Sequence, residues 1–66
     1  MSEKTEITMV GGERIGVEEA PTEVEAAILA AARGSIMELA WLTEAQTNQR
    51  IGINPEHVLL LRVQPR

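Results

Sequence analysis

The chain has no cysteine, no phenylalanine, no tyrosine, one tryptophan and one histidine in 66 residues. Without cysteine there is neither a disulfide nor a thiolate metal site. A single histidine, His57, cannot build a zinc site without several carboxylate partners. With Trp41 as the only aromatic residue, the core must be assembled from aliphatic side chains. No apolar run approaches the length needed to span a bilayer, which points away from the membrane. The opening Met1-Ser2-Glu3-Lys4-Thr5-Glu6 has no apolar stretch of the signal-peptide kind, so the expectation is a cytoplasmic protein. Basic residues are also scarce. The first 33 residues carry seven acidic and three basic side chains and the remainder carry three of each, within a net charge of -4. An acidic first half argues against broad contact with phosphate backbones, while the neutral second half leaves room for a local basic spot.

One helix organises the chain. From Pro21 to Arg33, five alanines follow Glu25, Pro21 suits the first helical position, and Arg33 complements the C-terminal end of the dipole. Val24, Ala27, Ile28 and Ala31 form one slim apolar stripe that can lie close on a sheet. Ala20 is a poor N-cap, so Thr22 is an alternative start. Gly34 is placed to take a left-handed C-terminal cap.

The other apolar stretches read as strands. Glu6–Val10 alternates with Ile7 and Met9 on one face, and Glu13–Val17 with Ile15 and Val17 inward. Between them, Gly11-Gly12 predicts a two-residue hairpin turn with both glycines at positive φ. Glu18 and Glu19 read as solvated charges leading into the helix. Ser35–Thr43 is apolar on both faces, with Met37, Leu39 and Trp41 on one and Ile36, Ala40 and Leu42 on the other. Glu44–Asn48 is turn-like, and Asn48 suits a left-handed position. Gln49–Ile53 alternates again, Asn54-Pro55-Glu56 marks a turn, and His57–Val63 is a second strand apolar on both faces.

The expected architecture is one α+β domain over residues 1–66, with residues 1–4 disordered. About five antiparallel strands form a small sheet, with the helix on one face. One slim helix cannot cover two doubly apolar strands. Small domains without disulfides or metals also gain stability by association. A homo-oligomer, with a dimer favoured, is therefore expected.

The chemistry-bearing residues are few. His57 would need a nucleophile or carboxylate arranged around it, and Glu56, its sequence neighbour, points to the opposite face of a strand. Ser2 and Ser35 sit in no nucleophile-elbow setting. The expectation is a protein that is not an enzyme, with no catalytic residues, no metal and no cofactor. Trp41, in line with Met37 and Leu39, reads first as core. As part of a doubly apolar strand it is also a candidate contact, together with Leu42, Leu59 and Leu61. Arg50 and Arg62 would converge on a phosphate-sized spot if their strands pair. Arg66 is the other arginine of this half.

Two resemblances follow from particular segments. Gly11–Val17, Glu18–Val24 and Asn54–Val58 resemble a loose group of small actinobacterial and phage proteins in which a hairpin, an acidic Glu-x-x-Pro-x-x-Val helix start and a closing Asn-Pro-x-x-Val strand recur. The FlbD-type flagellar-operon proteins share the closing strand. Separately, Asn48–Pro55 resembles the Asn-Gln-x-Arg-Ile-Gly-Ile-x-Ala-Pro segment of the carbon storage regulator (CsrA/RsmA) family, whose members are β dimers that bind RNA. This chain has one residue fewer between Gln49 and Arg50 and lacks that family's Leu-Thr-Arg first strand. The leading expectation is thus a self-associating module that binds an unidentified protein partner. The alternative is an RNA-binding regulator using Arg50 and Arg62.

Overall fold

The computed structural model describes residues 3–34 and 38–64. The order is β1 (Lys4–Met9), β2 (Arg14–Val17), α1 (Pro21–Arg33), β3 (Ala40–Thr43), β4 (Arg50–Ile53), a 3-10 turn (Pro55–His57) and β5 (Val58–Gln64). The architecture is α+β, with every strand pair antiparallel.

The five strands do not form one continuous sheet. Three pair in the order β2-β1-β5, and β3 pairs with β4 alone. The break follows from the length of β3, which has only four residues, so only its C-terminal end meets β2. There the Glu18 N–H donates to the Thr43 carbonyl and the Ala45 N–H to the Gly16 carbonyl, both at 2.9 Å. A single bridge between Val17 and Glu44 completes the link.

The registers place the core. Ile7 on β1 faces Ile15 on β2 and Leu61 on β5, and Thr5 faces Val17 and Val63. On the hairpin, Ala40 faces Ile53 and Leu42 faces Ile51. Ile7, Val17, Val24, Leu42 and Ile53 form the buried cluster between sheet and helix. The helix stripe is as its spacing predicts: Val24 and Ala31 are buried, and Ala27 and Ile28 are half-buried against the cluster.

Several local expectations need correction. The first hairpin is a three-residue loop, Val10–Gly12, closed by Met9 N–H donating to Glu13 O and Gly12 N–H donating to Met9 O, each at 2.8 Å. Only Gly12 takes positive φ, at 91°. This is the arrangement in which a left-handed glycine forms a bulge after the turn. Gly34 is extended rather than left-handed, at φ -83° and ψ -155°, and its N–H still reaches the Ala31 carbonyl. Lys4, expected in a disordered tail, begins β1 and pairs with Glu18 at 3.3 Å. His57 belongs to the 3-10 turn and not to the last strand. The Asn54 side chain caps that turn by accepting the Glu56 N–H at 2.9 Å. The segment expected to open the third strand at Ser35, Ile36 and Met37 lies outside the described residues. Asn48 does take the left-handed conformation, at φ 61°.

The helix starts at Pro21 and not at a Thr22 cap. Ala20 occupies the N-cap with extended φ and ψ but has no side-chain acceptor. The Glu23 carboxylate reaches back to the Ala20 N–H at 3.0 Å, which is one half of a capping box. Ala20→Ser supplies the missing half at a backbone conformation serine adopts freely. The N3 N–H of Glu23 already donates to the Ala20 carbonyl at 2.9 Å, so the serine hydroxyl adds a second acceptor and the expected gain is about 0.5 kcal/mol in urea unfolding; no gain would mean that the carbonyl alone satisfies it.

Candidate functional site

The surface of interest is β5. It stands at the end of the order β2-β1-β5, so one side of its seven-residue backbone has no strand partner among the described residues. Between Thr8↔Leu60 and Met9↔Val58 the register slips, leaving Leu59 as a bulged residue opposite no β1 partner. Leu59 is 63% exposed, Val63 47% and Leu60 39%. Leu61 is half-buried because it faces Ile7 on the core side. Arg62 points the other way, at the register position opposite Glu6.

The second apolar surface lies on the outer face of the β3–β4 hairpin. Trp41 pairs across the strands with Gly52. A Cβ at Gly52 would sit 2.8 Å from Leu39 Cδ1 and 3.1 Å from Trp41 Cη2, so both side chains rest on the glycine backbone. This overturns the reading of Trp41 as core: it is 55% exposed. Alternation then sends its neighbour inward. Leu42 is 1% exposed and cannot be a contact residue in the folded chain. Of the four residues selected by apolar pattern, Leu59 and Trp41 are exposed, Leu61 is half-buried and Leu42 is core. Trp41 and Leu59 stand in different sheets.

The two arginines do not converge. Arg50 is on β4 and Arg62 on β5, and these strands are not paired. Arg50 is engaged within the molecule. Its Nη1 donates to Thr43 Oγ1 at 3.1 Å and lies 3.5 Å from the Glu19 carboxylate. That carboxylate also accepts the Thr43 N–H at 2.9 and 3.0 Å. The Glu19 carbonyl in turn accepts from the fully buried Thr5 hydroxyl at 2.8 Å. Glu19, expected as a solvated charge, is therefore a staple joining β1, the β2–α1 loop and the β3–β4 hairpin. Sequence reasoning missed it because none of these contacts is local in the chain. It also passed over Leu60 and Val63, although both belong to the same apolar run as Leu59.

His57 is exposed on the 3-10 turn and lines a shallow cleft of about 260 Å³ with Met9, Val10, Gly11 and Glu13. Its carbonyl accepts the Val10 N–H at 2.7 Å, tying the turn to the first hairpin. Among the described residues, no three acidic or histidine side chains gather as a metal site, and no helix is long and apolar enough to cross a membrane. Comparison with protein-family models, curated proteins and solved structures finds no match to this chain.

Proposed function

We propose that this chain is a small, non-enzymatic interaction module that self-associates through the open edge of β5. The observation that carries the reading is the combination of a seven-residue strand edge without a strand partner among the described residues and Leu59, Leu60 and Val63 exposed along it. Sheet edges in monomeric proteins are guarded by charge, proline, a bulge, shortness or a cover. The edge at β4 has such guards: it is four residues long, carries Arg50, and runs at once into Asn54-Pro55. β5 carries Arg62, a bulge at Leu59 and a proline immediately after Gln64, but at seven residues it is the longest strand, and shortness does not guard it. Glu6 stands opposite Arg62, which lowers its power to repel a second strand.

Placement of Arg50 and Arg62 in separate sheets, each beside a glutamate, supports a protein-binding reading over an RNA-binding one. A standard interface takes about 800 Å² per partner, roughly a sixth of this chain's 4642 Å². Association through one strand edge is expected to be weak, in about the micromolar range.

Light scattering across concentration, at low and high salt, tests the proposal. The expected result is a monomer–dimer equilibrium that high salt leaves intact, since apolar burial and backbone pairing carry it. A monomer at every concentration would reject self-association. A mass that collapses with salt would shift the weight to charge.

A further inference from the structure

Resting on that self-association, we infer that the occupant of the β5 edge is the β5 of a second copy, paired antiparallel about a twofold axis midway between the two copies of Leu61. The symmetry restricts the choice. A twofold that sets two edge strands antiparallel must stand perpendicular to the sheet. It therefore keeps the helix-bearing faces of both copies on the same side. Each residue then meets a partner residue that points to the same face, so the axis passes midway between one residue and its own copy on the partner strand. A twofold lying along the strand would make the pair parallel. It would also set the apolar face carrying Leu61 and Val63 beside the partner's polar face of Glu6, Arg62 and Gln64.

Three residues near the middle of β5 can stand opposite their own copies across the axis. Placing Arg62 there sets the guanidinium against the partner's Arg62, a like-charge pair across the strands. It also carries Leu59 beyond the end of the partner's strand. Placing Leu60 there sets Val63 and Gln64 against the partner's 3-10 turn, which has no ladder to offer. With Leu61 paired to its own copy, Leu59–Val63 falls wholly within the partner's Leu59–Val63, short of Val58, which the bulge turns to the opposite face from Gln64. Leu60 then meets the partner's Arg62, and Leu59 meets the partner's Val63. The bulged leucine, which has no opposite number on β1, gains one here. Leu59 and Val63 are also the two most exposed apolar residues of the strand.

The absence of native cysteine makes the register directly readable by cross-linking. Directly opposed residues bring their Cβ atoms to about 4.5–5.5 Å, close to the span a disulfide needs after slight adjustment. The variants Leu59→Cys and Val63→Cys change exposed side chains, so the fold is retained. Mixed and oxidised with glutathione disulfide, they should give several-fold more cross-linked dimer than either gives alone. Efficient self-linking of Arg62→Cys or Leu60→Cys instead would overturn the register while leaving association through β5 intact. No linked dimer from any of the four, with a scattering mass that still doubles, would place the interface elsewhere. The same failure with a monomeric mass would reject the proposed function as well.

Discussion

Leu42→Ala is expected to destabilise the domain by about 2–5 kcal/mol, the range for truncating a buried leucine. Leu42 is 1% exposed and packs in the cluster with Ile7, Val17, Val24 and Ile53. A chain of 66 residues has a total stability of about 3–10 kcal/mol, so this one truncation removes much or all of it. The core has no aromatic side chain to close over the gap, and the surrounding aliphatic groups can relax only in part. The adjacent Trp41→Ala deletes a far larger side chain and should cost about 1 kcal/mol or less, because the indole is already half in water. Urea unfolding followed by far-ultraviolet circular dichroism measures both variants without relying on the tryptophan itself. A larger loss from Trp41→Ala than from Leu42→Ala would mean that the two faces of β3 are inverted.

That contrast shows where the sequence was legible. The helix from Pro21 to Arg33 was legible because its composition and stripe are local signals, although its start left Thr22 open and Gly34 is extended rather than left-handed. The strands and the α+β class followed from alternation and turn residues for the same reason. For β3, alternation correctly separates Leu39 and Trp41 from Ala40 and Leu42, but both sets are apolar and nothing local says which faces the core. The residue that decides is Gly52, on another strand. A glycine opposite Trp41 lets the indole lie across β4 on the outside. Glu19 was illegible on similar grounds. Thr5 reaches it through the β1–β2 hairpin, and Thr43 and Arg50 only after the helix has returned the chain. The division of five strands into three and two was hidden as well, since it depends on how far the short β3 overlaps β2. The candidate site was half legible. The sequence marks Val58–Val63 as too apolar for an ordinary surface strand, but only the topology shows that this strand ends the sheet.

Leu59→Asp is expected to abolish self-association while leaving the monomer folded. Leu59 is 63% exposed in the monomer and lies opposite no β1 residue, so an aspartate there remains hydrated in the isolated chain. Its effect on unfolding should be within about 0.5 kcal/mol. In the twofold pair the substitution counts twice, once in each copy. Each instance loses the burial of a leucine, about 1–2 kcal/mol for a side chain already partly covered, and adds the cost of desolvating a carboxylate. A total loss of at least about 3 kcal/mol raises the dissociation constant about a hundredfold or more, beyond the micromolar range. Leu29→Asp is the control. Leu29 is 49% exposed but lies on α1, away from the strand edge in sequence and element. It should alter neither mass nor affinity. Sedimentation equilibrium of the three proteins decides the matter. If Leu29→Asp disperses the dimer and Leu59→Asp does not, the helix and not β5 is the face that meets the second copy.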